Sequence, residues 1–210
     1  MGLKLGEDAP NFQAISTMGE FDLYSFLGSS WGIIFSHPGA FTPVCTTELG
    51  EVAKLKDAFD KRNVKVVGLT TDSLEKLHDW VKDINETQQC TVNFPIIADH
   101  SHKIASLYGM IHPDASATFT VRSLFIISPS KEVKLKITYP ASLGRNFVEI
   151  LRAIDGLQLS VEHAVVAPAN WKQGEDLIVA PQLSDEVAKL RFPKGIKQIR
   201  PYLRYTPQPE

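Results

Sequence analysis

The apolar positions of the chain fall into short runs that alternate between two periods. WGIIFSH (31–37), VKVVGLTT (64–71) and FPIIA (94–98) are unbroken apolar stretches of a length that suits buried strands. Between the first two, Leu49, Val52, Leu55 and Phe59 recur at helical spacing with Lys54, Lys56, Asp57 and Lys61 around them. A helix is therefore predicted from Thr42-Pro43 through Phe59. Between the second and third, Leu74, Leu77, Val81 and Ile84 mark another helix. Asp72 stands before it with Glu75 three residues later, the pattern of an N-cap in a variant capping box.

A short helix is expected from about Ser101 to Gly109, then a loop through IHPDASAT. TVRSLFIIS (120–128) is apolar throughout, Pro129-Ser130 marks a turn, and VKLKITY (133–139) alternates as a half-exposed partner strand does. Asn146 with Glu149 opens a last clear helix, with Phe147, Ile150, Leu151, Ile154 and Leu157 on its apolar face. The first thirty residues carry turn signals and short extended pieces, such as STMGE before FDLYSF.

Strand–helix alternation through residue 98 implies parallel pairing, and the later hairpin adds antiparallel strands. The expected fold is α/β: a mixed sheet with helices on both faces. After about residue 160, Pro168, Pro181, Pro193, Pro201, Pro207 and Pro209 punctuate short segments without a long periodic helix. The chain thus divides into residues 1–160 and a small C-terminal extension, 161–210.

Composition narrows the function classes. At 43% apolar and 22% charged residues the 210-residue chain is an ordinary globular protein. A net charge of −2 gives no electrostatic case for nucleic acid or an anionic membrane surface as main partner. Two cysteines make no disulfide framework. The opening MGLKLGEDAPNF lacks the apolar core of a signal peptide, and no apolar run approaches a membrane span. The expected compartment is the cytoplasm, where thiols are kept reduced.

One of the two cysteines sits in HPGAFTPVCTTELGEV (37–52). Thr42 suits an N-cap and Pro43 the first helical position, so Cys45 becomes the third helical residue. There its sulfur lies beside unpaired backbone N–H groups and the positive end of the helix dipole, which favour thiolate over thiol. The reading is a reactive thiol; the alternative is a small buried hydrophobe. Arg122 is the second unusual residue, sharing a strand face with Leu124 and Ile126. A buried guanidinium needs an anion. That anion is the Cys45 thiolate or a substrate oxygen, a carboxylate such as Glu48, or both; otherwise Arg122 reaches solvent from the strand end.

These residues also match a known pattern. Pro38-Gly-Ala-Phe-Thr42-Pro-Val-Cys45 is the Pro-x-x-x-Thr-x-x-Cys motif of the peroxiredoxins. FSHPGAFTPVCTTELG, YPASLGRNF around Arg145, LRAIDGLQLS, PANW, FPKG and PYLRYTPQP resemble the one-cysteine, peroxiredoxin-6-type subfamily over essentially the whole chain. The resemblance implies a thioredoxin-like fold, an extension that helps form a homodimer or a larger ring, and no cofactor or metal. It implies a thiol peroxidase that reduces hydrogen peroxide and organic hydroperoxides in antioxidant defence. Cys45 would be the peroxidatic cysteine, oxidised to sulfenic acid. Thr42 would present its hydroxyl to the peroxide, Arg122 would support thiolate and transition state, and Pro38 would shield the site. His37 and Arg145 match residues near this pocket in the subfamily, and Glu48 would orient the arginine.

There is no cysteine after position 90, and position 50, where some relatives carry a resolving cysteine, is Gly50. Cys90, in the polar stretch NETQQCTVN, is read as an ordinary thiol. The reductant is then external: glutathione, or a thioredoxin- or glutaredoxin-type protein. Two rival readings stand beside this one. Gly28-Ser29-Ser30-Trp31-Gly32 satisfies G-x-S-x-G, but it precedes a strand instead of joining strand to helix. Some members of the subfamily are credited with phospholipase activity through this serine, a histidine and an aspartate. Here the latter two positions hold Tyr24 and Ser130, so that activity is rejected. The other rival is a peroxide sensor or redox-regulated holdase with little turnover.

Overall fold

The computed structural model describes residues 2–116 and 118–209; Ala117, in the expected IHPDASAT loop, lies outside them. Strands β1 (Gln13–Ser16) and β2 (Gly19–Asp22) form a tight hairpin. Asp22 then caps helix α1 (Leu23–Leu27) by accepting the Ser25 N–H at 2.9 Å, so FDLYSF passes from strand to helix after Asp22. The runs at 31–37 and 64–71 are strands β3 (Trp31–Ser36) and, after the helices between them, the parallel neighbour of β3.

The helix predicted from Pro43 is two helices, α2 (Pro43–Lys54) and α3 (Lys56–Asp60). The break is at Leu55, whose ψ of 9° leaves the helical range and restarts the turn. Strand β4 (Val64–Thr70), helix α4 (Leu74–Thr87), strand β5 (Ile96–Ala98) and helix α5 (Lys103–Leu107) follow as expected. So does the hairpin of β6 (Arg122–Ile127) and β7 (Val133–Tyr139). The cap of α4 differs from expectation. Ser73, not Asp72, receives the Lys76 N–H, because the Asp72 carboxylate is turned to the Ala40 N–H and the Thr70 hydroxyl.

The seven strands run in the order β2-β1-β5-β4-β3-β6-β7, with β3, β4 and β5 parallel and the others antiparallel to their neighbours. Alternation along the strands divides the core in two. Ile34, Val67, Leu69, Ile97, Phe125 and Ile127 pack on one face with Leu23 and Leu27 of α1 and Ile104 of α5. Ile33, Phe35, Leu124 and Ile126 are buried on the other, where α2 and α4 approach each other.

Helix α6 (Phe147–His163) begins where the sequence indicated, with Glu149 ion-paired to Arg152. The two compact units divide between Phe147 and Val148, at the start of this helix, and not at residue 160. The end of helical periodicity marks the end of α6, whereas packing assigns the helix itself to the C-terminal unit: a Cβ on Gly156 would lie 3.4 Å from Ala167 and 3.7 Å from Trp171. That unit adds β8 (Val165–Val166), β9 (Leu177–Val179), α7 (Asp185–Arg191), β10 (Lys197–Arg200) and β11 (Leu203–Thr206). Its four strands form a sheet around its own core of Val165, Trp171, Leu177, Val179, Ala188 and Phe192.

Candidate active site

Sheet topology brings the sequence-predicted residues together. The chain leaves β3 at its carboxyl end, crosses through α2 to β4 on one side, and later returns as β6 on the other. In open α/β sheets the space outside the carboxyl ends at such a switch is where ligands bind. Because β6 is antiparallel to β3 and pairs Leu124 with Phe35, Arg122 lies just beyond the end of β3, beside the start of α2.

Pro43 is the first residue of α2, so Cys45 is the third, as expected, and it is fully buried. Thr42 is the N-cap by position, but its side chain does not cap. Its hydroxyl donates to the Gly39 carbonyl at 2.9 Å. The N–H groups of Val44 and Cys45 precede the first intrahelical bond, from Thr46 to Thr42 at 3.0 Å, and Thr42 leaves them uncapped. The sulfur therefore sits at the positive end of the helix without a competing cap.

Arg122 Nη1 donates to Cys45 Sγ at 3.1 Å and to Glu48 Oε2 at 2.9 Å. Its Nε and Nη2 both donate to the Ala141 carbonyl, at 3.1 and 2.8 Å, which fixes the plane of the guanidinium. Of the alternatives for Arg122, the geometry realises both the Cys45 sulfur and the Glu48 carboxylate at once and excludes the solvent-facing one. Glu48, one turn along from Cys45, also holds Arg145: Oε1 accepts from its backbone N–H at 2.8 Å and Nε at 2.9 Å, and Oε2 from Nη2 at 2.7 Å. Arg145 Nη1 reaches the Ser123 carbonyl at 3.1 Å, and its guanidinium lies 4.9 Å from the Phe35 ring centre. Two buried guanidiniums thus face one buried carboxylate, leaving one positive charge beside the sulfur.

Pro38 is half-buried in the turn that precedes Thr42. His37 is fully buried between Phe35 and Trp80, and neither ring nitrogen has a hydrogen-bond partner among the described residues. Burial, reinforced by the Arg145 charge, pulls its pKa down to about 3, so the ring is neutral at neutral pH. Two residues escaped the sequence reading. Trp80, with Trp171 the largest of the fully buried side chains among the described residues, donates to the Thr46 hydroxyl at 3.0 Å. Its signal was present at helical spacing between Leu77 and Ile84. Asp72 carried no such signal, since its pattern read as a cap.

Cys90 is half-buried after the end of α4, with its sulfur 4.0 Å from the Ile84 carbonyl. Burial pushes its thiol up, against a smaller opposite effect of Lys54. Lys54 ends α2 while Cys45 begins it, a separation of roughly 13 Å of helix rise. Ser30, the centre of G-x-S-x-G, donates to Asn63 Oδ1 at 2.7 Å and precedes β3, so it is a turn residue.

Residues 5–136 match the model of the AhpC/TSA family. The chain belongs to the AhpC/TSA family of peroxiredoxins. Residues 156–195 match the C-terminal domain of 1-Cys peroxiredoxin, which falls within the C-terminal unit of this peroxiredoxin. It is 53% identical to a 1-Cys peroxiredoxin of Dictyostelium discoideum over 99% of this chain and 86% of that one. With Peroxiredoxin-6 of Mus musculus the identity is 51% over 99% of each. Among solved structures, the Cys-to-Ser mutant of peroxiredoxin 6 from Arenicola marina superposes with a TM-score of 0.93 at 45% identity, covering 100% of both chains. Yeast mitochondrial 1-Cys peroxiredoxin gives 0.91 at 45% identity over 98% of this chain and 99% of that one. The fold is thus thioredoxin-like with a C-terminal domain, as expected. As a peroxiredoxin the protein is an oxidoreductase, a thiol peroxidase.

Proposed function

We propose that Cys45 is the peroxidatic residue and that it reduces hydrogen peroxide and organic hydroperoxides. The observation that carries this is the 3.1 Å contact of Cys45 Sγ with Arg122, made at an uncapped helix start. The Cys45 thiolate attacks one peroxide oxygen in line with the O–O bond. An S–O bond forms, the O–O bond breaks, and the departing oxygen takes up a proton to leave as water or an alcohol. Arg122, the Thr42 hydroxyl and the first-turn N–H groups stabilise the charge as it moves. Arg145 and Glu48 hold Arg122 in plane, Pro38 shields the sulfur, and neutral His37 fills the wall behind it.

The sulfenic acid then condenses with an external thiol, releasing water, and a second thiol displaces Cys45 from the mixed disulfide. Glutathione or a thioredoxin- or glutaredoxin-type protein supplies these thiols. This accords with the raised thiol of Cys90 and with the yeast relative, whose thiol resolving proceeds via glutathione/thioredoxin systems. We place the protein in the cytoplasm, in antioxidant defence, as a homodimer or a larger ring. The exposed Val148, Val161 and Leu190 support self-association.

The deciding experiment is steady-state peroxide consumption with a panel of thiol donors, beside Cys45→Ser. Continuous turnover with at least one donor, abolished in a folded Cys45→Ser protein, is expected. Substantial turnover in that variant overturns the role of Cys45. A single stoichiometric burst with every donor favours the sensor or holdase instead. Fractionation showing the protein outside the cytoplasm, or a monomer in sedimentation, overturns those two assignments.

A further inference from the structure

We propose that Asp72 is a positioning residue for peroxide reduction, its carboxylate locking the Gly39–Thr42 turn that presents the Thr42 hydroxyl and the start of α2 to Cys45. This rests on the peroxidatic reading of Cys45. Asp72 touches none of the reacting atoms. Its Oδ2 accepts from the Ala40 N–H at 2.7 Å and from the Thr70 hydroxyl at 2.8 Å, while Oδ1 takes the Lys76 ammonium. One oxygen therefore ties the turn to the end of β4. Since β4 already pairs with β3 through Leu69 and Ser36, the carboxylate closes a ring: β3, turn, Asp72, β4.

What the ring confines is a turn that would otherwise relax. Phe41 has φ of +57°, a left-handed conformation unfavourable for a side chain of its size, and its ring is half-exposed. Such a residue persists only where its surroundings over-determine it. Two restraints flank it: the Asp72 bond to Ala40 on one side and the Thr42 hydroxyl on the Gly39 carbonyl on the other. The same helix that follows Asp72 supplies a third, because Trp80 lies 6.4 Å from the Phe41 ring and donates to Thr46. A cap at this position would need only a carboxylate near the α4 N–H groups; the one present serves the turn of α2, and Ser73 caps in its place.

The test compares two reactions of Cys45. Reaction with hydrogen peroxide needs an aligned O–O bond; alkylation by iodoacetamide needs only the accessible thiolate. Asp72→Ala removes both carboxylate oxygens, so the Ala40 N–H and the Thr70 hydroxyl lose their acceptor. It is expected to slow the peroxide reaction on the order of 10- to 100-fold while alkylation changes by less than about threefold. In a Thr42→Val background the same substitution is expected to add little, because it acts through Thr42. Equal losses in both reactions, an unchanged peroxide rate, or full additivity with Thr42→Val overturns the proposal. If Asp72→Ala does not fold, Thr70→Val decides. It removes one anchor at unchanged charge, and the same selective loss, smaller in size, is expected; a lack of selectivity overturns. A wild-type protein whose Cys45 is not oxidised rapidly by peroxide fails the peroxidatic reading itself, and the proposal with it.

Discussion

Glu48 carries two guanidiniums on one carboxylate, with Oε2 shared between Arg122 and Arg145. Removing its charge leaves two buried guanidiniums without their carboxylate partner. Glu48→Gln is therefore expected to destabilise the fold by about 3–5 kcal/mol, the usual cost of stripping one partner from a buried ion pair. A denaturant titration showing less than about 1 kcal/mol would mean that solvent reaches the cluster. Arg122 is used differently, since its fork spans the sulfur, Glu48 and the Ala141 carbonyl simultaneously. A lysine keeps the charge but gathers its donors on one atom and cannot span three acceptors. Arg122→Lys is expected to slow the peroxide reaction roughly a hundredfold, the loss typical for one oriented donor, and to slow alkylation of Cys45 as well. If neither rate moves, the arginine is structural.

Helix packing leaves little room for a side chain at position 50 of α2. A Cβ at Gly50 would lie 2.6 Å from both Cβ and Cγ of Gln88, at the end of α4. In an ordinary helix interior, glycine to alanine gains up to about 1 kcal/mol. Here overpacking costs about 1–3 kcal/mol and wins. Gly50→Ala is thus expected to lower the unfolding free energy, and a stabilised variant would show that α4 yields. The same packing puts Cys90 beside the far end of α2 from Cys45. Disulfide formation needs α-carbons within about 7 Å, less than the helix rise between the two sites. Cys90→Ser should keep full peroxidase activity, and wild type given one equivalent of peroxide should hold a dimedone-reactive Cys45. A Cys45–Cys90 crosslink in mass spectrometry would replace the one-cysteine mechanism and leave the peroxidase function standing.

For the whole molecule, the buried imidazole of His37 ties stability to pH. In the unfolded chain it titrates near 6.5, whereas the folded protein holds it neutral down to about 3. Between those values the unfolded state binds the extra proton, so stability falls as pH drops through the window and levels off below it. At about pH 5 this single group costs about 2 kcal/mol. Unfolding free energies measured from about pH 7 to 5 should therefore decline in wild type more steeply than in His37→Phe. Equal slopes would mean that the ring is charged and partnered in the folded state. Each compact unit, on its side of the Phe147–Val148 division, also carries a hydrophobic core cluster against its own sheet.

Much of this was legible in the linear pattern, because helices and strands record which face is buried in their own periodicity. The alternation from β3 to β5, the hairpin of β6 and β7, and the place of Cys45 at the third position of α2 rest on such short-range signals. So does the inference that an arginine among Leu124 and Ile126 must meet an anion. Which anion it meets is decided 77 residues away, by an antiparallel register that lays the start of β6 against the start of α2. Periodicity carries no information about strand order, so it could not distinguish Glu48 from the sulfur or show that Arg122 holds both. Nor could it show that Asp72 abandons the cap for Ala40, since a carboxylate's partner depends on which backbone N–H the fold delivers. The residue types, and the local elements that carry them, came from the sequence; the convergence of Arg122 and Arg145 on Glu48 of α2, and of Asp72 on the turn before that helix, came from the tertiary structure.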